Sequence, residues 1–395
     1  MNGARASEPT DAVRPSLATV LRSWGWIGCV GFGGPPTHIR MLRELCVQRR
    51  RWLTAVEFED AVAACNLLPG PASTQLAIFC AWRVRGRLGA LVGGLAFIVP
   101  GLIVILALAG LFLAQDPPPW VLGAGAGAGA AVAAVAVHAA ADLLPPSWRR
   151  ARDVGRARLA RWVGYVLAGV LAAATVGPWV VLVLLACGVV ELTARLPREN
   201  RPTAMLAVPM MATGASAGVL AAVAWVAFKV GALSYGGGFV IIPLMQADAV
   251  DRYHWMTDGQ FLNAVALGQI TPGPVVQTVA VVGYAAAGLT GGLLASAVAF
   301  APSFLLILAG ARHFDRLRAN AGARAFLDGA GPAAIGAIAG SAVSLARALS
   351  QPWQFCVLAG AAILILGLRR GVVPTLLAAA GAGIVLTAVG LPLPG

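Results

Sequence analysis

The sequence has little charge, and what it lacks is the charged surface of a soluble protein. Only 11% of its 395 residues are Asp, Glu, Lys or Arg, whereas soluble domains carry about 25%. Hydrophobic residues make up 59%, and the mean hydropathy is +0.80. Apolar runs long enough to cross about 30 Å of hydrocarbon as helices recur, for example Leu88–Phe112, Gly164–Val190 and Val372–Leu391. These runs argue against a soluble fold and predict an all-α, polytopic membrane protein.

Lysine is nearly absent, and Lys229 is the only one. Arginine, in contrast, occurs 28 times, and the net charge of the chain is +13. A basic chain can bind nucleic acid. Here the arginines stand in short clusters between apolar runs, which is typical of cytoplasmic loops. We therefore expect the lipid bilayer, and no nucleic acid, as the large-scale partner.

Motifs for metal, cofactor and enzyme chemistry are also missing. The six cysteines show no CxxC or metal-ligand spacing, and most lie in apolar segments where they are expected to pack as small hydrophobic residues. There is no nucleotide-binding loop, HExxH motif, catalytic carboxylate pair or nucleophile elbow. The sequence predicts no metal, no cofactor and no enzyme activity.

An internal repeat organises the chain. Gly28–Pro71 aligns with Gly231–Pro274 at a constant offset of 203, without a gap, and 15 of the 44 positions are identical. Glycine, proline and tryptophan are among the identities, which chance agreement does not explain. We predict a tandem duplication with units 1–200 and 201–395, joined by the basic stretch Arg195–Arg201.

The charges of equivalent loops predict the orientation of the two units. Arg40–Arg51 carries five Arg and one Glu, net +4, whereas its counterpart Pro243–Asp258 carries three Asp and one Arg, net −2. Positive charge marks the cytoplasmic side. Equivalent loops on opposite sides indicate two antiparallel (inverted) repeats, which are common in transporters.

The same charges predict broken, re-entrant helices. Both flanks of Thr54–Trp82 are basic, so this segment must enter and leave on one side. Pro69-Gly70-Pro71 divides it into pieces of roughly 14 and 12 residues, about 20 Å each and too short to span. Its counterpart Thr257–Ala285 should dip in from the other face.

Four helix starts, two at the Pro-Gly-Pro breaks and two at the glycine motifs near Gly33 and Gly237, predict an anion site. Helix N-termini present unpaired N–H groups and partial positive charge, which attract anions. The polar side chains beside the Pro-Gly-Pro motifs could donate hydrogen bonds to an oxyanion. The alternative is that the two Pro-Gly-Pro breaks are only packing kinks with capped helix ends. The candidate residues are Gly33, Gly34, Pro35, Gly236, Gly237 and Gly238 in the glycine motifs, Pro69, Gly70, Pro71, Pro272, Gly273 and Pro274 in the tips, and Asn66, Ser73, Thr74, Gln75, Gln269 and Gln277 beside them.

Charged or titratable residues complete the predicted site. Lys229 lies within an apolar run, and an embedded lysine could complement an anion or snorkel to the outer surface. His38 could bind the anion, carry a proton or serve a structural role. Arg40, with Arg43, could gather anions at the cytoplasmic mouth or mark topology alone.

At these residues the chain resembles the chromate transporter family. The resemblance rests on Phe32-Gly33-Gly34-Pro35 with Thr37-His38, on Arg51-Trp52, on Leu67 to Gln75, on Phe228-Lys229-Val230-Gly231 with Tyr235 to Phe239, and on Thr271-Pro272-Gly273-Pro274. It covers both halves of the family's long, duplicated form and adds Thr271 to the candidate site. One departure is Asn66, where the family pattern has glutamine.

The resemblance implies a multi-pass carrier in the bacterial inner membrane that expels chromate and is coupled to protons. Sulfate has the same tetrahedral shape and charge and stays open as a substrate, as does a second copy of the chain as a partner in a homodimer. A passive oxyanion channel or an uptake carrier is the alternative to export. A membrane enzyme acting on an anionic lipid is an alternative from another class.

Overall fold

The computed structural model describes residues 15–66, 68–175, 179–195, 218–234, 239–311 and 320–394. Within these ranges the chain forms α-helices, short 3-10 and π-helical segments and turns, with no strand. The predicted all-α class is therefore confirmed.

The described part of the chain before residue 200 contains seven α-helices. They are α1 (Leu17–Val30), α2 (Pro35–Arg43, continued by a π-helical segment at Glu44–Arg49), α3 (Ala55–Cys65), α4 (Ala72–Phe112), α5 (Pro119–Val154), α6 (Arg156–Thr175) and α7 (Val180–Arg195).

The described part after residue 200 contains seven more. They are α8 (Val219–Leu233), α9 (Ile242–Gln246, between a 3-10 turn at Phe239–Ile241 and a π-helical segment at Ala247–Arg252), α10 (Asp258–Ile270), α11 (Thr278–Gly310, preceded by a 3-10 turn at Val275–Gln277), α12 (Ala321–Arg347), α13 (Pro352–Ala362, continued by a π-helical segment at Ile363–Gly367) and α14 (Val372–Ala388).

Five helices among the described residues are long and apolar enough to cross a membrane. These are α4, α5, α6, α11 with its preceding 3-10 turn, and α12. Shorter apolar helices at Val219–Leu233, Pro352–Gly367 and Val372–Ala388 accompany them. The prediction of a polytopic membrane protein is confirmed.

Both predicted hairpins begin with a capping box at a threonine. The Thr54 hydroxyl accepts a hydrogen bond from the N–H of Glu57 at 3.2 Å, and the Glu57 carboxylate accepts one from the N–H of Thr54 at 2.9 Å. Thr257 and Gln260 repeat this exchange at the start of α10. Such a capping box satisfies two N–H groups that a helix start leaves unpaired. The N–H of Thr54 also holds the pKa of Glu57 below its ordinary value.

The two halves share backbone geometry as well as sequence. Gly86 interrupts α4 at φ 68° and ψ −154°, and Gly288 interrupts α11 at φ 61° and ψ −153°. Arg51 and His254, which are 203 residues apart, both take φ 52° after a π-helical segment. The order of elements around these landmarks is the same in both halves, and their inverted orientation stays a prediction.

Glycines bring the helices into backbone contact. α1 packs along α4, and α8 packs along α11 at the equivalent place in the second half. A methyl group at Gly28 would lie 2.7 Å from the Phe97 carbonyl oxygen, and one at Gly231 would lie 2.0 Å from that of Ala299. Small residues let membrane helices approach this closely. The same pairing of α1 with α4 and of α8 with α11 positions the two Pro-Gly-Pro segments.

Candidate functional site

The two Pro-Gly-Pro segments form tips between helices. The first tip (Pro69–Pro71) joins α3 to α4, and the second tip (Pro272–Pro274) joins α10 to the turn before α11. Gly70 has φ +115° and Gly273 has φ +94°, in the region that only glycine adopts readily. A methyl group at Gly70 would also lie 2.7 Å from Nε2 of Gln75. The backbone conformation therefore requires glycine at the first tip, and a side chain there would also displace the Gln75 amide.

Each tip packs against the other half of the chain. At the first tip, a methyl group on Gly70 would lie 3.2 Å from the Gly231 carbonyl oxygen and 3.3 Å from Oγ of Ser303. At the second tip, the N–H of Gly273 donates to the Gly31 carbonyl at 3.0 Å. A methyl group on Gly101, in the same half as Gly31, would lie 2.1 Å from the Pro272 carbonyl oxygen. The candidate residues of both halves therefore meet at one interface.

His38 lies between the two tips and is fully buried. Its Nε2 is 2.9 Å from the Gly31 carbonyl oxygen, the same oxygen that accepts from Gly273 of the second tip. Its Nδ1 is 3.3 Å from Oγ of Ser73, which follows the first tip. A carbonyl can only accept, so Nε2 carries the proton, and neutral His38 accepts from the Ser73 hydroxyl at Nδ1. One imidazole thus links both tips.

Unpartnered polar atoms gather around the tips. The amides of Gln75 and Gln277 donate at 2.6 Å to the carbonyl oxygens of Pro69 and Ile98, which leaves each Oε1 without a partner among the described residues. The same holds for Thr74 Oγ1, Gln269 Nε2 and Ser303 Oγ. A buried polar group without a partner costs about 1–3 kcal/mol. Such a set fits a site that receives a polar guest.

The two tips lead into different helix starts, although the sequence predicts equivalent ones. At the first tip the N–H groups of Thr74 and Gln75 both donate to Pro71 at 3.0 Å, so α4 begins at once and the N–H groups of Ala72 and Ser73 precede its first bond. At the second tip the N–H of Gln277 donates to Pro274 at 2.9 Å in a three-residue 3-10 turn. Because a 3-10 turn has poorer alignment, the first tip has the stronger anion-attracting end.

The first tip is also the open one. Asn66 and Pro69 are exposed, whereas their counterparts Gln269 and Pro272 are buried. A cavity of about 670 Å³ reaches Asn66, Gly70 and Ala72. Thr271, the remaining candidate of the second tip, is 4% exposed, and its hydroxyl donates to the Leu267 carbonyl at 2.7 Å.

The first glycine motif borders the second tip. Gly33 and Gly34 have φ +94° and +74°, and Pro35 starts α2. A methyl group on Gly34 would lie 3.6 Å from Cγ2 of Val275, directly after the second tip. The counterparts Gly236, Gly237 and Gly238 lie outside the described residues.

Arg40 and Lys229 stand apart from this cluster. Arg40 is exposed in the last turn of α2, and its neighbour Arg43 pairs with Glu59 at 3.0 Å. Lys229 Nζ lies 2.5 Å from Oδ2 of Asp248, and Asp248 is 3% exposed. From the loop charges alone, Asp248 is only one of three acids, so this pair was not predicted. One signal was present, since an acid beside the apolar stretch 239–247 needs a partner.

A second feature that was not predicted from the sequence is an ionic network between α6, α7 and α12. Glu191 is fully buried and accepts from Arg161 and Arg195, both at 2.7 Å, and from Tyr165 at 3.1 Å. Arg158 also pairs with Glu191. Asp328 of α12 lies 2.8 Å from Arg195 and 3.4 Å from Arg158, so the network joins the two halves.

The spanning helices and the paired tips define the class of the molecule as a multi-pass helical membrane protein with an internally repeated core. Comparison with known proteins then gives its family. The sequence profile of the chromate transporter family matches residues 18–192 and 221–386, and the chain belongs to that family.

Similar proteins extend over most of the chain. It is 32% identical over 359 residues to a chromate transport protein of Cupriavidus metallidurans, covering 87% of this chain and 85% of that protein. It is 31% identical over 369 residues to a chromate transport protein of Pseudomonas aeruginosa, covering 87% and 84%. A probable chromate transport protein of Synechococcus elongatus is 29% identical over 342 residues, covering 84% and 85%. No solved structure matches. Because the family is one of transporters, the chain is a transport protein and not an enzyme.

Proposed function

We propose that the protein exports chromate across the bacterial inner membrane and that a proton gradient contributes to this transport. The observation that carries the proposal is the buried cluster in which His38 links both tips among unpartnered polar atoms. Membership of the chromate transporter family supports chromate as the substrate. Two inverted repeats are part of the proposal, because the loop charges support them.

The anion binds where α4 begins. The N–H groups of Ala72 and Ser73 and the hydroxyl of Thr74 are donors at the tip that the cavity reaches. A helix N-terminus favours negative charge, and N–H and O–H donors suit the oxygen atoms of a tetrahedral dianion. These donors do not distinguish chromate sharply from sulfate, so sulfate is the competing substrate.

His38 couples the anion site to protons. In its neutral form Nδ1 accepts from Ser73, and protonation would turn Nδ1 into a donor, so that the Ser73 hydroxyl must reorient. Ser73 is also the second residue of α4. A proton on His38 therefore changes the hydrogen bonding at the helix start that holds the anion.

The membrane potential favours the outward direction. With a negative interior, a potential of about 100 mV contributes roughly 2.3 kcal/mol per charge, or about 4.6 kcal/mol for a dianion. Export is therefore downhill in potential, and a passive channel would also carry chromate outward. Proton dependence is what separates the carrier from the channel.

Everted membrane vesicles test the proposal. Energised vesicles that contain the protein should accumulate labelled chromate, and collapse of the pH gradient at constant potential should slow the uptake. Excess sulfate should compete if the site reads only shape and charge. Uptake that follows the potential alone would favour the channel, and vesicles without any chromate uptake would contradict the proposed substrate.

A pair of glycine variants connects the flux to the first tip. Gly70→Ala should abolish uptake while the protein still inserts, because Gly70 has φ +115° and its methyl group would lie 2.7 Å from Gln75. Gly164→Ala is the matched control, since a methyl group at Gly164 meets nothing within 4 Å. Normal uptake by the Gly70→Ala variant would remove the first tip from the site.

A further inference from the structure

We propose that the cavity beside the first tip is an oxyanion vestibule whose arginines draw the substrate toward the start of α4. This inference rests on the proposed function and adds a second, separate anion-attracting site to it. The cavity of about 670 Å³ joins Asn66, Gly70 and Ala72 of the first tip to Arg150, Arg158 and Arg324.

The three arginines come from different parts of the fold. Arg150 lies near the end of α5, Arg158 in the first turn of α6 and Arg324 in the first turn of α12. The first two belong to one half of the chain and the third to the other, and the tertiary structure brings them to one cavity. Both parts of the chain are expected to face the cytoplasm because of their arginine clusters. The vestibule thus faces the side from which an exported anion must come.

The charges of the lining favour an anion. Three arginines and two acids, Glu59 and Asp328, line the cavity, which leaves one net positive charge. Glu59 pairs with Arg43, which lies outside the lining, at 3.0 Å, and Asp328 pairs with Arg195, also outside the lining, at 2.8 Å as well as with Arg158. A cleft with charge of one sign raises the local concentration of the opposite ion.

Arg158 is held in a fixed position at the wall of the vestibule. Its side chain is 6% exposed and is fixed by Glu191 on one side and by Asp328 on the other. Its Nε is buried and has no hydrogen-bond partner among the described residues. Arg158 therefore fixes the wall of the vestibule, and Arg150 and Arg324 carry the charge that attracts the anion.

The vestibule differs from the mouth that the sequence predicts. Arg40 and Arg43 could gather anions or mark topology alone, and neither lines this cavity. Arg43 is instead engaged with Glu59 on α3. The vestibule is formed instead by arginines much further along the chain, at positions 150, 158 and 324.

Transport kinetics test the vestibule with matched variants. Arg150→Gln and Arg324→Gln should each raise the KM for chromate roughly three- to tenfold at low salt, with kcat unchanged, and the effect should shrink at high salt. Arg149→Gln is the control, because Arg149 is exposed on the same helix, carries the same charge and does not line the cavity. Equal KM values in all three variants and the parent would overturn the vestibule.

A labelling experiment separates this proposal from the proposed function. Ala63 is exposed and lines the cavity, so Ala63→Cys places a thiol there, in a full-length background in which the exposed Cys29 and Cys356 are serine. An anionic thiol reagent should label this site several-fold faster than a cationic reagent of the same size. Arg150→Gln combined with Arg324→Gln should abolish that preference.

The labelling outcomes are informative whether or not chromate is carried. A preference that survives in the double variant, or that favours the cationic reagent, overturns the vestibule even if chromate flux is normal. An anionic preference in a protein that carries no chromate supports the vestibule and refutes the proposed substrate.

Discussion

Replacing Lys229 should destabilise the protein because it leaves a buried carboxylate without its partner. Lys229 Nζ and Asp248 Oδ2 are 2.5 Å apart, and their side chains are 16% and 5% exposed. The single change Lys229→Met removes the cation but keeps the volume and the apolar stem. Asp248 then stays buried without the cation that pairs with it in the structure.

The expected magnitude follows from the burial of the pair. Removing one partner of a buried ion pair costs about 3–5 kcal/mol, whereas replacing both partners with apolar residues is often neutral. Because the Lys229 side chain is 16% exposed, we expect a loss at the lower end of this range, about 3 kcal/mol. The double variant Lys229→Met with Asp248→Leu should recover most of this loss.

Thermal unfolding in detergent measures the effect, and vesicle uptake then separates two roles of Lys229. The control is Glu44→Gln, which breaks the exposed pair with Arg49, with side chains 44% and 71% exposed, and should cost no more than about 1 kcal/mol. If Lys229 serves only to neutralise Asp248, the double variant should transport. If Lys229 is the cation that meets the substrate, the double variant should be stable and inactive.

One result would refute the reasoning on stability. If Lys229→Met unfolds at the same temperature as the parent, the carboxylate of Asp248 must be solvated or protonated without Lys229, and the pair is not a structural element. A double variant less stable than either single variant would contradict it equally, since the repair would then have failed.

Three other parts of the fold give further predictions. Glu191→Gln should lower stability by about 3 kcal/mol, because it leaves Arg161 without its carboxylate and buried Arg158 with Asp328 alone; Glu44→Gln is again the exposed control in thermal unfolding. Thr54→Ala should cost about 1 kcal/mol by removing the cap of α3, measured by the same method. Cysteines introduced in place of Arg50 and Asp251 should react with an impermeant reagent from opposite faces of the membrane, and labelling from one face would refute the inverted repeat.

The sequence allowed the prediction of features that a few neighbouring residues decide. The positions of the tips follow from glycine and proline, because glycine is the residue that readily adopts a φ near +100°, as Gly70 and Gly273 do. The spanning helices follow from runs of apolar residues, and the starts of α3 and α10 follow from Thr54 and Thr257. Each of these signals lies within one segment of the chain and does not depend on packing.

The difference between the two tips depends on the residues directly after each of them. The identical Pro-Gly-Pro precedes Ala72-Ser73-Thr74 in the first half and Val275-Val276-Gln277 in the second. Alanine is the best helix former, whereas the β-branched valines restrict side-chain rotation in a helix. This residue difference agrees with an α-helix after the first tip and a 3-10 turn after the second.

The charged networks could not be predicted because they depend on tertiary packing. Glu191 meets Arg158, 33 positions earlier, and Asp328, which shares Arg158 and Arg195 with it, comes 137 positions later. Helical periodicity brings Arg195 to Glu191, four residues earlier, but it brings neither of them to Arg158 or Asp328. Only the packing of α12 against α6 and α7 does so, and that packing relies on glycine contacts such as Gly329 against the Cys187 carbonyl.

Each tip packs against the opposite half of the chain, so each half depends on the other for its structure. A half produced alone would present Gly70 or Gly273 without the carbonyl and hydroxyl groups that enclose it. The surface that packs against the other half would then be exposed. Because both halves are part of one polypeptide, each first half is always made together with one second half. A lineage that kept the halves as separate chains would have to make both in step and let them find each other in the bilayer.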